Sequence, residues 1–460
     1  MPDRPVQRLR LLRGCRGLTR LTDPERLTYR QAVVALTERG RFGVSMGLER
    51  VERLMAEVGH PERQLRGALV GGTNGKGSVV AMGRAVLVAG GHRVGTMPKP
   101  HLVSYRERLA VDGEPISASE FAAVVERVLP AINRVAVDVG PPTEFEALTA
   151  AAIAELARRE VDVALVEVGM GGRLDATNVL DLGVAAITNV QRDHEAYLGH
   201  TLAAIGREKA AIIKAGNLAV TGASGRGLRP IMDRCATQLV PLRRAGPRQP
   251  YRATLRQLDW DGIVVDAGTP SGDLPDLRIG LIGAHQAENA AVVLALLDSL
   301  ADRHGIRVDE SSLRSGFATV RWPGRLEVLD GSSIGLRRVL LDGAHNPAGA
   351  AALGQALRDL GLRRPTIVFG AMRTKRVHAV LRALAPLEPR FVFTRVDDPG
   401  AYDPEHLARI WRGIAAVSAP TAATPAAALR RAEGDPIVVA GSLYLVGAVR
   451  SMITGMTEET

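Results

Sequence analysis

The chain has 460 residues, a formal net charge of +10, 46% hydrophobic and 23% charged residues, and only 3% aromatics. That length predicts two or three domains, with cores built mainly from Ala, Val and Leu. No apolar run approaches the roughly 18 residues that a membrane-crossing helix needs, and arginines interleaved with acids, without aromatics for stacking bases, argue against nucleic acid. Residues 1–27 read as a flexible Arg-rich leader lacking the sustained apolar stretch of a secretory signal. Cys15 and Cys235 lie far apart without metal spacing, as a tail thiol and an apolar filler, and suit a reducing cytoplasm.

From Thr28 a helical pattern runs through Leu36, and a second covers 48–58. A short strand at 67–70 leads through a Gly-rich turn, 71–78, to an apolar helix over 79–89 that Gly90 and Gly91 stop. A helix over 145–159 is followed by apolar strands at 163–166 and 184–188. A helix over 202–214 then precedes a strand at 218–221. Strands apolar on both faces and separated by helices predict a parallel sheet covered on both sides. Residues 241–278 form a β-rich excursion, and a helix follows at 287–302. A second alternating unit begins with a strand at 338–341 and a turn at 342–347, and ends with a strand at 436–439. The expected boundary between the units lies near 320, dividing the chain into 28–320 and 321–460.

The turn Gly71-Gly72-Thr73-Asn74-Gly75-Lys76-Gly77-Ser78 carries the strongest chemistry. Its glycines let backbone N–H groups converge on phosphate, and the following helix adds its positive end. Lys76 is placed to neutralise β- and γ-phosphates, and the Ser78 hydroxyl to meet Mg²⁺. The spacing departs from the standard Walker pattern, since Val70 stands where that pattern has Gly. Of the 59 basic residues only five are lysines: Lys76, Lys99, Lys209, Lys214 and Lys375. All five lie in or beside motifs, so their amine chemistry is the expected reason for their retention.

The segment Gly-Thr-Asn-Gly-Lys-Gly-Ser resembles the phosphate loop of folylpolyglutamate synthases within the Mur ligase superfamily. Glu167-Val168-Gly169 through Gly172-Arg173-Leu174-Asp175-Ala176-Thr177-Asn178 is the longest match to that family. The resemblance extends over about residues 28–452. It implies an N-terminal P-loop-type parallel-sheet ATPase domain and a smaller C-terminal Rossmann-like α/β domain. The implied activity is ATP-dependent addition of L-glutamate to folates through an acyl phosphate, with dihydropteroate a further acceptor. Another Mur-type amino-acid ligation, with a non-folate acceptor, is the alternative.

The same resemblance implies a site. Thr73, Asn74, Gly75, Lys76, Gly77 and Ser78 would cradle ATP. Ser78 and Glu167 would hold one Mg²⁺ and His194 a second, with a carbamylated Lys209 shaping the site. Asn289 would meet adenine, Arg325 would reach the nucleotide phosphates from across the domain junction, and Asp342 and His345 would approach the reacting phosphate. Lys76, Lys209, Asp342 and His345 are the implied catalytic groups. Segments 98–106 and 143–149 are candidates for pteridine contact, and 441–445 for the incoming glutamate. A monomer acting on small molecules, with neither nucleic acid nor membrane as partner, is expected.

Two departures stand out. The family reads Ser-Pro-His-Leu where this chain reads Lys99-Pro100-His101-Leu102. A protonated lysine cannot ligate a metal, so either a water replaces the serine or Lys99 sets its charge on a phosphate or carboxylate. Arg376 likewise stands where the family has Asp after Lys375.

Overall fold

A computed structural model describes residues 26–38 and 47–459. The leader, apart from residues 26 and 27, and Cys15 with it, lies outside the described residues.

Eight strands form the first sheet: β1 (Gly67–Gly71), β2 (Val94–Met97), β3 (Ala110–Val111), β4 (Glu114–Pro115), β5 (Val163–Glu167), β6 (Gly183–Ile187), β7 (Leu218–Thr221) and β8 (Leu242–Arg244). Their order is β4-β3-β2-β5-β1-β6-β7-β8, parallel from β2 to β8, with β3 and β4 as an antiparallel edge. Strand alternation sends Leu69, Val166 and Ile187 into one core and Val70, Leu165 and Ala186 into another. Helices Ala118–Asp138 and Glu144–Arg158 cover the first face, while Lys76–Ala89 and His285–His304 cover the second. Both faces are thus buried, as continuous apolar strands require.

The excursion is an antiparallel meander of β9 (Arg252–Asp259), β10 (Gly262–Thr269) and β11 (Gly272–Ile279). It packs Val265 and Leu277 against the helix His285–His304. A six-stranded sheet follows, built from β12 (Glu327–Asp330), β13 (Arg338–Leu341), β14 (Thr366–Phe369), β15 (Arg390–Thr394), β16 (Thr421–Ala422) and β17 (Ile437–Ala440). Its order is β12-β13-β17-β14-β15-β16, with only β12 antiparallel. The chain passes from the last helix of the first half, Glu310–Thr319, to β12 beyond Thr319.

Scarce aromatics are concentrated rather than spread. Phe391 stacks on Phe393 at 5.0 Å and meets Trp411 edge-on at 4.7 Å, with Phe369 beside them in the C-terminal core, while Tyr29, Tyr105 and Phe121 form a smaller group in the N-terminal half. Cys235 is buried, as a filler should be, and burial pushes its thiol up to about 11.

Three expectations about elements need correction. The helix after the phosphate loop begins at Lys76, inside the Gly-rich turn, because Gly75 caps it in the left-handed region at φ 82°. The expected helix 202–214 stops at Ala210, so Lys214 lies in the loop beyond it. There Lys214 donates to the Asn178 and Leu180 carbonyls, bracing the long family-like segment rather than facing the site. The long helix Ala118–Asp138 was not anticipated, although Ser117 and Glu120 form a capping box at its start. Among the described residues no helix is long and apolar enough to cross a membrane.

Candidate active site

In a parallel sheet the loops after neighbouring strands share one edge. Here β1 lies between β5 and β6, with Val70 opposite Glu167 and Gly71 opposite Ile187. The phosphate loop, Glu167 and the Thr188–Asn189 turn therefore meet by register alone. Thr188 Oγ1 donates to the Asn74 carbonyl at 2.6 Å, and Asn189 Oδ1 accepts the Asn74 N–H at 3.0 Å. Thr73 Oγ1 receives the Gln191 N–H at 3.1 Å, and Asn74 Nδ2 donates to Gln191 Oε1 at 2.6 Å. The loop is held in shape by its neighbours.

A cavity of about 550 Å³ opens over this loop. Lys76 Nζ donates to the Thr73 carbonyl at 3.1 Å and lies 3.9 Å from Glu167 Oε1. Glu167 is buried; its Oε2 accepts the Lys99 N–H at 3.1 Å, and burial raises its carboxyl despite Lys76. Ser78 is buried in the first turn of the helix and lines the same cavity. Lys209, 3% exposed, donates to the Gly72 carbonyl at 2.8 Å. Burial, and then Lys76, pull its amine down to about 7. His194, at the start of a short helix, keeps 40% of its side chain exposed, yet partial desolvation at the cavity rim pulls it down to about 4 against Asp193, so its imidazole is neutral at physiological pH.

The C-terminal sheet closes the opposite wall. Asp342 follows β13, and both its oxygens accept backbone N–H groups, from Leu326 at 3.0 Å and Ala344 at 2.9 Å. This brace fixes the turn that carries Arg325, whose Nη1 donates to the Gly324 carbonyl at 3.1 Å. His345 Nδ1 lies 2.8 Å from the Gly343 carbonyl, which can only accept. The proton is therefore on Nδ1, and Nε2 carries the lone pair, 3.9 Å from Asp193 Oδ2. Burial and Lys375 pull His345 down to about 4. Lys375 Nζ is 3.6 Å from Asp193 Oδ1, and that company holds Asp193 below its ordinary range against its burial.

Asn289 is buried from the neighbouring helix, its Nδ2 donating to Gln286 Oε1 at 2.8 Å. It sits so near the loop that a Cβ on Gly75 would lie 2.3 Å from Asn289 Oδ1. Buried carboxylates, neutral imidazoles, several ammonium groups and free loop N–H groups facing one cavity are suited to binding a polyphosphate beside a second anionic reactant.

The sequence matches two family descriptions, "Mur ligase middle domain" over residues 70–297 and "Mur ligase, glutamate ligase domain" over 324–443. It is 32% identical to the dihydrofolate synthase/folylpolyglutamate synthase of Bacillus subtilis, across 92% of this chain and 99% of that one. The chain belongs to the folylpolyglutamate/dihydrofolate synthase family. It is an ATP-dependent ligase of the Mur type, with the N-terminal nucleotide-binding and C-terminal α/β halves of its relatives. Among solved structures, Mycobacterium tuberculosis folylpolyglutamate synthase complexed with ADP and AMPPCP superposes with a TM-score of 0.84 at 32% identity, covering 92% of this chain and 99% of that one. The Escherichia coli protein in complex with DHPP and ADP gives 0.81 at 27% identity, with 93% and 98% covered.

Every site residue expected of this ligase from its sequence lines the one cavity: the loop from Thr73 to Ser78, Glu167, His194, Lys209, Asn289, Arg325, Asp342 and His345. Among the described residues no three His, Cys, Asp or Glu side chains cluster as a ready metal cage; each expected ion has at most one such side chain, with Ser78 or a modified Lys209 as the other donor. Segments 98–106 and 143–149 do meet. Tyr105 donates to Glu144 Oε1 at 2.9 Å, and Lys99 Nζ stands 3.3 Å above the Phe145 ring. Gly441 to Tyr444 line the cavity as well. The sequence reading missed Gln191 and the reach of Asn346 to the phosphate loop. Asn346 was visible only as a helix cap before Pro347, and a cap carries no signal about a partner 272 residues away. Arg376, the second departure, forms an exposed ion pair with Glu195 at 3.1 Å and lies outside the cavity.

Proposed function

We propose that this ligase joins the amine of L-glutamate to the carboxylate of a reduced folate, and also to that of dihydropteroate. The observation that carries the reading is the convergence of the phosphate loop and Glu167 with Arg325, His345 and Lys375 around one cavity. The acceptor carboxylate oxygen attacks the γ-phosphorus, a P–O bond to ADP breaks, and an acyl phosphate forms. The glutamate amine then attacks the acyl carbon, phosphate leaves, and one proton is lost from nitrogen. Lys76 and the loop N–H groups hold the phosphates, and Arg325 adds charge from the other half. The apposed halves keep water from the acyl phosphate. We take the division between them to fall near 320, between the two sheets. Asn289 is assigned to the adenine, and Asp342 to the brace that presents Arg325.

The donor set suits Mg²⁺. Glu167 is a buried carboxylate with a single backbone donor and a raised carboxyl, so a divalent cation would offset its desolvation. Ser78 and Glu167 would hold one ion and His194 a second. Bound there, Mg²⁺ would neutralise charge on the transferring phosphoryl group. Lys209, pulled down to about 7 by burial, offers a neutral amine at physiological pH. Such an amine can add to CO₂ and release one proton, leaving a carbamate anion beside the loop. We place the protein in the cytoplasm as a monomer working on small molecules, without nucleic acid or membrane.

The test is ATP-dependent incorporation of labelled L-glutamate, with dihydropteroate and tetrahydrofolate as parallel acceptors, for wild type and Lys76→Ala. Incorporation on both acceptors, reduced roughly 100-fold or more in the variant, is expected. Incorporation on neither acceptor by wild type overturns the folate reading.

A further inference from the structure

The cavity holds four lysines, and three of them are committed. Lys76 Nζ donates to the Thr73 carbonyl, Lys209 Nζ donates to the Gly72 carbonyl, and Lys375 Nζ stands 3.6 Å from Asp193. Lys99 differs. Among the described residues its Nζ has neither a hydrogen-bond partner nor a carboxylate within 4.0 Å; it stands 3.3 Å from the centre of the Phe145 ring, with Asp175, Glu144 and Glu167 acting on it from farther off. The nearest acid on the turn, Asp175, is already engaged. Its Oδ2 accepts the Met170 N–H at 2.8 Å, and its Oδ1 accepts the Thr177 N–H and hydroxyl at 3.0 and 2.6 Å.

The position of Lys99 is nevertheless fixed. Its backbone N–H binds Glu167, and its Nζ lies 2.6 Å from where a Cβ on Gly169 would stand, so a side chain there would displace it. Nearby, His101 accepts from Arg108 Nε at 2.9 Å, which keeps its Nδ1 unprotonated and occupies that guanidinium face. An enclosed ammonium with three unused donors is costly unless an anion completes it. Glu167 meets Lys76 through that lysine's ammonium, 3.9 Å away, and Lys99 only through its backbone N–H, which leaves the Lys99 ammonium on the aromatic side.

We infer that Lys99 anchors the reacting carboxylate of the acceptor, with the Phe145 ring beside it, so that this chain grips its second substrate by a side-chain cation where the family's sequences carry serine. The inference rests on the glutamate-ligase reading above. It assigns to Lys99 the orientation of an aryl or γ-carboxylate toward the nucleotide, and explains why a lysine persists in a chain that elsewhere uses arginine. Arginine would present a planar fork there in place of a compact ammonium.

Three variants test it. Lys99→Met keeps the apolar stem over Phe145 and removes the charge, Lys99→Gln keeps a donor without the charge, and Lys99→Arg keeps the charge with the wrong shape. Binding of dihydropteroate and of its carboxamide analogue is measured by calorimetry beside glutamate incorporation, with circular dichroism to establish folding. Wild type should prefer the carboxylate over the carboxamide, and Lys99→Met and Lys99→Gln should lose that preference. Their acceptor KM should rise roughly 10- to 100-fold, with the KM for ATP changed less than about 2-fold, and Lys99→Arg should recover part of the loss. A folded Lys99→Met or Lys99→Gln protein that keeps the carboxylate preference overturns the inference. Failure of wild type to incorporate glutamate on either acceptor would instead sink the functional reading, so the two failures are distinguishable.

Discussion

Asn346 donates from Nδ2 to Asn74 Oδ1 at 2.9 Å and to Asp193 Oδ2 at 3.1 Å, joining the first helix of the C-terminal sheet to the phosphate loop. The same side chain caps that helix, because its Oδ1 accepts the Gly349 N–H at 2.8 Å. One residue thus ends a turn in one half and reads the loop conformation in the other. Substitutions can separate the two roles. Asn346→Ser retains a capping oxygen and loses the reach to Asn74. It should leave the melting temperature nearly unchanged while lowering kcat/KM for ATP about 10-fold, equivalent to about 1.4 kcal/mol. Asn346→Ala should also cost about 1 kcal/mol of stability from the lost cap. Equal melting temperatures for the two variants in thermal unfolding would contradict this division.

Gly75 combines a left-handed backbone with a close neighbour, since its φ is 82° and an added Cβ would stand 2.3 Å from Asn289 Oδ1. Gly75→Ala should therefore strain the loop by about 1–3 kcal/mol and push Asn289 out of place. The expected outcome is a folded protein whose KM for ATP rises at least about 10-fold. Gly91→Ala provides the control: it shares positive φ, at 80°, but nothing lies within 4 Å of its Cβ. It should lower stability slightly and leave the KM for ATP alone. A Gly75→Ala enzyme with native ATP affinity would refute the crowding argument.

Lys209 offers a direct test of the carbamate. Incubation with ¹³C-bicarbonate should produce a carbamate carbonyl resonance in wild type that is missing from Lys209→Ala. Activity should fall when CO₂ is purged below the loading range and return when bicarbonate is restored. The Lys209→Arg variant cannot form the carbamate and should be inactive although its charge matches the unmodified lysine. A fully active Lys209→Arg enzyme would show that no anion is needed at this place.

His101 makes stability depend on pH. Burial, and then Arg108, push it down to about 3, and its Nδ1 accepts from Arg108, so protonation must break that bond. The unfolded chain binds the proton near the ordinary value of about 6.5, and the folded chain only near 3. Between those values unfolding takes up about one proton at this residue. The contribution is fully present above the unfolded value and is lost as pH falls toward 3. Unfolding free energies measured in urea from pH 4 to pH 7 should rise with pH, and His101→Gln should flatten that slope. An unchanged slope would place the acid sensitivity elsewhere.

The architecture was legible because its signals are local or periodic. Apolar runs at 163–166 and 184–188 announce strands buried on both faces, and a Gly-rich turn between strand and helix announces a phosphate site wherever the chain folds. Even so, local reading misplaced the start of the helix at Lys76, since only the backbone geometry of Gly75 reveals where helical bonding begins. Local chemistry pointed to the phosphate loop with Lys76 and Ser78 and to Glu167 at a strand end, while Asn289, Arg325, Asp342, His345 and Lys209 were nameable only through the family resemblance.

What the sequence by itself determined is the inventory: a phosphate loop, a carboxylate after a strand, a few retained lysines and two α/β units. The tertiary structure decided how that inventory is shared out. Register between β1, β5 and β6 puts Glu167 beside Lys76. Apposition of the two sheets gives Asn346 to Asn74 and Lys375 to Asp193. The same folding leaves Lys99 alone over Phe145, while Lys214 is spent on bracing a loop. A cation's role depends on which acceptors lie within about 3 Å of it. Those neighbours come from strands and helices far apart in the chain, so no local pattern can state them.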